Sequence, residues 1–213
     1  MYLISFLSGV IMNIKEAKKN YVTDEAIKLF LKDSIATVTI RDVAKAAELG
    51  EATIYRYFSS KSGLIVACAI RLQKIVCAAF TDSHDLSNGY YRLEMFYNAY
   101  LKMFLERPEL YRFLSEFDAF CISENIDSLE EYSDNMDMFK FAFNDAYENG
   151  VKDGSVNVIE DINTFYYSTT HAMLALCKKL SQGIVITRQD TLTDRSREIK
   201  MLIDIILASL KKR

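Results

Sequence analysis

The sequence predicts an all-α protein built as a small N-terminal helical head followed by a larger helical body. Three observations carry that expectation. The 213 residues include seven glycines and one proline, too few for a turn-rich β architecture. Apolar residues recur at the i, i+3, i+4, i+7 spacing of helix faces along most of the chain. No pair of alternating segments reads as a hairpin, and no internal repeat or low-complexity segment breaks the pattern. With half of its residues hydrophobic, the chain can bury one good core together with a small appended domain.

A first helix is expected from about Ile14 to Asp33, with Tyr21, Val22, Ala26, Leu29 and Phe30 turned inward and Lys15, Lys18 and Lys19 at its start, within reach of phosphate. Thr39 is placed to cap a second helix, with Asp42 three residues on where a capping-box carboxylate belongs. Ile40, Val43, Ala44 and Ala47 form its buried face, and Glu48-Leu49-Gly50 makes a tight turn with an apolar plug and a flexible glycine. A third short helix, Glu51 to Tyr57, buries Ile54 and Phe58 and leaves Thr53, Tyr55, Arg56 and Tyr57 facing outward. The pattern is that of a DNA-reading helix-turn-helix. Ser59-Ser60-Lys61-Ser62 then opens a fourth helix with capping hydroxyls and an anion-attracting N-terminus, continuing to about Asp82.

The body follows after a polar turn at Ser83–Gly89. Helices are expected at about Tyr90–Glu106, Glu109–Ser123 after a proline at its tolerated first position, and Ser128–Asn149. Gly150 and Gly154 suit left-handed caps that end the third of these. Two long helices close the chain, at about Asp161–Gln182 and Thr193–Lys211.

Ala26, Leu29, Phe30, Thr39, Val43, Ala44, Ala47, Leu49, Thr53, Ile54, Tyr55, Tyr57, Phe58, Lys61 and Leu64 stand in the register of a known pattern. The stretch from about Lys15 to Leu72 resembles the N-terminal DNA-binding domain of the TetR family of transcriptional regulators. It departs at Glu48, where the family has its turn glycine, and at Gly50, where a serine is usual as the cap of the recognition helix. The resemblance implies an apolar N-terminal extension at 1–12, a helix-turn-helix DNA-binding domain at 13–60, and a helical ligand-binding and dimerisation domain at 61–213. It also implies a DNA surface made of Thr39, Arg41, Gly50, Glu51, Ala52, Thr53, Tyr55, Arg56, Tyr57 and Lys61. Thr39, Tyr55, Tyr57 and Lys61 are the expected phosphate contacts, and Glu51, Ala52, Thr53 and Arg56 the groove-facing ones, with Arg56 as the residue suited to guanine.

Charge agrees with such a head. The overall charge of −3 hides an asymmetry: Met12–Lys74 carries 11 Lys and Arg against 7 Asp and Glu, a net of +4, and the remainder carries 15 against 22, a net of −7. Cys68, Cys77, Cys121 and Cys177 show no C-x-x-C spacing and only His84 and His171 accompany them, so neither a metal site nor a cofactor is expected, and the cysteines read as buried thiols in a reducing cytoplasm. The apolar opening MYLISFLSGVIM lacks a basic region and a cleavage site and is far shorter than the ~20 residues needed to cross a bilayer. Either an extended translation start or a helical extension accounts for it. Glycine-rich phosphate loops, nucleophile elbows and histidine pairs are absent, which argues against an enzyme.

The body is rich in aromatic residues, most of them core by helical spacing. From the resemblance, a small-molecule cavity is expected there, with Tyr97, Tyr100, Phe104, Phe113, Phe117, Phe139, Phe143, Tyr147, Tyr167 and His171 as candidate lining and a hydrophobic, flat or cationic ligand as its occupant. For His171 a satisfied core or interface histidine is the preferred alternative to a pocket donor. The last two helices offer Ala172, Leu176, Leu202, Ile203, Ile206 and Leu210 as a homodimer surface, or as ordinary intramolecular packing. The expected partners are a palindromic double-stranded operator, a small-molecule effector and a second copy of the chain, with no membrane. The rival expectation is constitutive DNA binding by a protein whose body docks another protein.

Overall fold

A computed structural model describes residues 2–81, 88–126, 129–183 and 194–212. Among them lie nine helices: α1 (Tyr2–Lys32), α2 (Ile40–Ala46), α3 (Glu51–Phe58), α4 (Lys61–Thr81), α5 (Gly89–Glu106), α6 (Pro108–Ser123), α7 (Glu130–Asp153), α8 (Ile162–Ser181) and α9 (Arg195–Leu210). The expected helix starts at Ser128 and Thr193, most of the Ser83–Gly89 turn, and His84 lie outside the described residues. The first helix is longer than expected, its backbone running unbroken from Tyr2 through the apolar opening.

The chain divides into two compact units, Met1–Leu72 and Gln73–Arg213. The division falls inside α4, later than the boundary expected at residue 60. Leu64, Ile65, Cys68, Ala69 and Leu72 are all buried, and the Cys68 thiol reaches the Thr23 carbonyl oxygen at 3.7 Å while Arg71 forks onto Asp24 at 3.1 and 3.3 Å. The first part of α4 is therefore packed on α1 as core of the N-terminal unit. Val22, Ala26, Phe30, Val43 and Ile54 complete that core. Tyr21, expected inside, is 47 % exposed; the buried stripe of α1 passes instead through Val22, Thr23, Ala26, Ile27 and Phe30.

In the second unit, α5 packs along α7 and α9, and α6 on α8. Its core is aromatic. Phe80, Phe96, Tyr100 and Phe139 meet edge to face at centroid separations of 4.9–6.3 Å, and Phe96, Tyr97 and Phe143 continue the array. Edge-to-face contacts of this kind add roughly 0.5–1.5 kcal/mol per pair beyond area burial. The phenols are tied inward: Tyr97 shares a 2.7 Å hydrogen bond with Thr169, Tyr111 donates to the Tyr100 carbonyl at 3.0 Å, and the Tyr147 oxygen accepts from the Ile159 amide at 2.8 Å. Three helix starts are capped by side chains, Asn88 accepting from Tyr90 and Tyr91, Asp161 from Thr164 and Asp194 from Ser196.

Gly150 corrects a further expectation. It is not a cap but an interior residue of α7, and Gly154, at φ 80°, is the left-handed C-cap. Gly150 is where α5 touches α7: a Cβ built on Gly89 would lie 2.1 Å from the Gly150 nitrogen, and one on Gly150 would lie 2.3 Å from Val156 Cγ2. The glycine pair is a close approach of two helices, held further by the Gly89 amide donating to Asp153 at 2.8 Å.

Candidate nucleic-acid interface

The candidate DNA-reading surface is assembled by local rules. Thr39 caps α2 through a full capping box: its side-chain oxygen accepts from the Asp42 amide at 3.2 Å, and the Asp42 carboxylate accepts from the Thr39 amide at 2.9 Å. Hydrogen bonds from the Thr39 side chain and then its backbone hold the Asp42 carboxyl below its ordinary range. That contribution is present above the unfolded carboxylate range and is lost as pH falls through the lowered value.

At the other end of α2 the Glu48 amide donates to Lys45 and the Leu49 amide to Ala44, the paired bonds of a Schellman ending. Glu48 occupies the left-handed position of that motif at φ 54°. A non-glycine residue there costs about 1–2 kcal/mol, partly offset by the lower unfolded-state entropy of glutamate relative to glycine. Glu48→Gly is expected to stabilise the N-terminal unit by about 0.5–1 kcal/mol, read as a shift in denaturant midpoint at unchanged slope; an unchanged midpoint contradicts it. Gly50, the N-cap of α3, has extended backbone and open space around a built Cβ, so its missing side chain removes a cap without bending the turn.

α3 is pinned by Ile54, fully buried, and Phe58, nearly so. Those two anchors, four residues apart, fix the rotation of the helix. Glu51, Ala52, Tyr55 and Arg56 are exposed as a result, with Thr53 and Tyr57 half-buried beside them. Arg41 and Thr39 are exposed at the start of α2, and Lys61 is half-buried at the first position of α4. Ser60 accepts from the Gly63 amide at 3.0 Å and so caps that helix. Gly63 lets α4 leave α3 closely, since a Cβ there would lie 2.2 Å from the Phe58 carbonyl oxygen. The expected DNA residues thus share one small unit; Ser60 caps α4 as its sequence predicts, and Gly63 joins them as a positioning residue whose role depends on the third dimension.

Arg56 rests with its guanidinium 5.6 Å from the Tyr57 ring centroid. Such an exposed stacking contributes about 0.5–1 kcal/mol. A bidentate guanine contact is worth about 1–3 kcal/mol of discrimination, so the stacked arginine is available to DNA. Lys15 and Lys18 are exposed on α1, and Lys19 lies 5.9 Å from the Phe58 ring centroid.

Residues 22–68 match the family model for bacterial regulatory proteins of the tetR family. Residues 22–68 thus form a DNA-binding domain of the tetR type. The whole chain shares its fold with solved TetR-family structures. One, a transcription regulator from Marinobacter aquaeolei VT8, is 18 % identical with a TM-score of 0.63 over 95 % of this chain and 100 % of its own. The fatty acid degradation regulator FadR from Bacillus halodurans is 13 % identical with a TM-score of 0.66 over 89 % and 94 %. The ketosteroid transcriptional regulator KstR2 of Mycobacterium tuberculosis is 15 % identical with a TM-score of 0.59 over 92 % and 95 %. No curated protein matches the sequence. The matched domain and the shared fold support a DNA-binding transcriptional regulator.

The residues expected to line a ligand site in the second unit separate into two groups. Tyr97, Tyr100, Phe113, Phe117, Phe139, Phe143 and Tyr147 are buried and Phe104 half-buried. Tyr167 and His171 are not interior: both are exposed on α8, their rings 5.8 Å apart, with the Lys140 ammonium donating to the Tyr167 hydroxyl at 3.2 Å. The helical repeat places them on the face opposite buried Tyr166, Thr170 and Met173.

The dimer residues divide likewise. Ile203, Ile206 and Leu210 are core of their own unit at 0, 5 and 0 % exposure, Leu176 and Leu202 are half-buried, and Ala172 is exposed. The outward residues of α9 include Met201, Ile205 and Ala208 beside Lys200, Asp204 and Ser209, and those of α8 include Ser168, Ala172 and Ala175. Both Met201 and Ile205 are at least 60 % exposed. Counting three and four residues from Met201 would have found this stripe in the sequence. Cys68, Cys77 and Cys177 are buried free thiols, with burial pushing the Cys177 thiol up to about 12. Among the described residues no cluster of His, Cys, Asp or Glu could hold a metal ion, and no helix is long and apolar enough to cross a membrane.

Proposed function

We propose that the chain is a cytoplasmic homodimeric repressor that binds a palindromic operator and is released by a small hydrophobic or cationic ligand. The observation that carries this reading is the pinning of α3, in which buried Ile54 and Phe58 present Glu51, Ala52, Tyr55 and Arg56 outward as one surface. A two-fold pair of such helices about 34 to 36 Å apart would enter successive major grooves. The exposed apolar stripe on α8 and α9 supports pairing of two copies, because a soluble chain rarely leaves such a strip uncovered. Similarity in fold to regulators named for ketosteroids and for fatty acid degradation supports an apolar effector. Release is a population shift: the ligand prefers the conformation in which the recognition helices are badly spaced, and weakens operator binding without touching DNA.

The test is selection of a duplex from a random pool, followed by titration at several salt concentrations. Dimeric binding to a palindrome is expected. Lys61→Ala should lower the magnitude of the salt slope by about 1 per contacting subunit, and Arg56→Ala should relax base preference at one position per half-site by about 1–3 kcal/mol. An unchanged slope removes Lys61 from the interface, and uniform weakening across sequences makes Arg56 a backbone contact. A second reading, constitutive DNA binding with a protein docked on the body, is favoured by the dense ring packing of the second unit. Stabilisation of the chain by apolar small molecules, with loss of operator binding, decides against it.

A further inference from the structure

The outward face of α3 carries a side chain that a phosphate-binding surface does not call for. Ile54 and Phe58 are buried, so the face left for a partner is the exposed strip of Glu51, Ala52, Tyr55 and Arg56. Glu51 opens the helix. Among the residues expected on the DNA surface it is the one acid, in the company of the cations Arg41, Arg56 and Lys61. Other acids of this unit are engaged within it: Asp24 receives the Arg71 fork, Glu25 pairs with Lys28, and Asp42 closes the capping box with Thr39. No ion pair among the described residues includes Glu51. Its only service to the fold is the weak, salt-screened attraction of a first-turn acid to the positive end of a helix.

The recognition helix of a helix-turn-helix enters the major groove with its N-terminal residues against the base edges. In α3 those residues are Glu51 and Ala52, and alanine is too short to hold the backbone away from the bases. A carboxylate brought there gives up water and meets the field of the phosphates. It can only accept hydrogen bonds. Guanine offers it the acceptors N7 and O6, thymine the acceptor O4, and adenine the acceptor N7 beside its one donor. Cytosine presents the N4 amino group and no acceptor. An acid at this position therefore penalises any site that lacks cytosine. It weakens contact with DNA in general and widens the gap between right and wrong sequences, which is what specificity requires.

We infer that Glu51 is a specificity-determining residue that acts by exclusion: its carboxylate accepts a hydrogen bond from the N4 amino group of one cytosine per half-site and rejects duplexes that place another base there. This rests on the proposed operator binding and names a base that such binding reads.

The experiment uses the full chain and the palindromic duplex selected from the random pool. Each base pair of the half-site is changed in turn to the other three, symmetrically in both halves. Affinities are measured by fluorescence anisotropy for wild type, Glu51→Ala and Glu51→Gln, with a scrambled duplex as reference. Wild type should prefer cytosine at one position by about tenfold over each other base, within the range of a good base contact. Glu51→Ala should flatten the preference at that position to within about threefold and leave the other positions as they were. It should also bind the scrambled duplex at least as tightly as wild type, because a repelled charge has gone. Glu51→Gln should turn the preference to adenine, whose N6 donor and N7 acceptor match a carboxamide. Binding of the scrambled duplex certifies that both variants fold. An acid that served only the helix start would give a different record, with Glu51→Ala weakening all duplexes alike at unchanged base preference, and that result overturns the assignment. A flattened position whose preferred base is not cytosine also overturns it. If wild type selects no palindrome, the operator reading falls and this assignment with it; if it selects one and Glu51→Ala leaves the preference at every position intact, only the role of Glu51 falls.

Discussion

Lysine at position 203 is expected to unfold the second unit, whereas lysine two residues on, at position 205, is expected to leave it folded and take the dimer apart. Ile203 is 0 % exposed in the core of that unit, and Ile205 is 60 % exposed on the opposite side of α9. An unpaired charge forced into an apolar interior costs about 3–5 kcal/mol, to which the lost burial of the isoleucine adds about 1.5–3 kcal/mol. A total stability of about 5–15 kcal/mol is then largely consumed. At the exposed site the same substitution costs the monomer less than about 0.5 kcal/mol. In a two-fold interface it acts twice, and a hot-spot loss of about 2 kcal/mol raises the dimer Kd about 30-fold. Thermal melts with sedimentation separate the two outcomes. Ile205→Lys remaining dimeric at micromolar concentration would remove the α8 and α9 stripe as the interface.

The second large effect concerns the glycine pair. Alanine is ordinarily the better helix residue by roughly 0.5–1 kcal/mol, so Gly89→Ala and Gly150→Ala would stabilise exposed helices. Here the contact distances reverse the sign. A Cβ on Gly89 meets the backbone nitrogen, Cα and carbonyl of α7 at 2.1–2.6 Å, and nothing in its way can rotate aside. α5 and α7 must separate, at a cost of about 3 kcal/mol or more, the upper end of overpacking. On Gly150 the nearest obstacle is the Val156 side chain at 2.3 Å. Gly150→Ala should therefore be partly rescued by Val156→Ala, and Gly89→Ala should not. A double-mutant cycle in urea measures the difference; additive losses at 150 and 156 would show that the methyl group is accommodated by another route.

The contrast between these residues shows how the chain is encoded. All nine helices of the described chain have counterparts in the periodicity, and the head was readable almost residue by residue: the capping box at Thr39 and Asp42, the turn through Glu48, and the anchors Ile54 and Phe58 involve partners no more than a few positions apart. Interactions of that range depend on local geometry, which a linear pattern expresses directly. The candidate DNA surface was legible for the same reason, since fixing two buried positions on a short helix fixes what the others face.

The sequence by itself thus determined the helical class, the helix-turn-helix and the identity of its outward side chains. Only the tertiary structure decided which side of a helix with two apolar faces turns inward. α9 carries Ile199, Ile203, Ile206 and Leu210 on one face and Met201 and Ile205 on the other, and packing against α5 and α8 buries the first set. It likewise placed Tyr167 and His171 outside and set Gly150 against Gly89. In each case the deciding partner lies about 50 or more residues away or on another helix, and hydrophobic burial, being non-directional, does not write such pairings into local spacing.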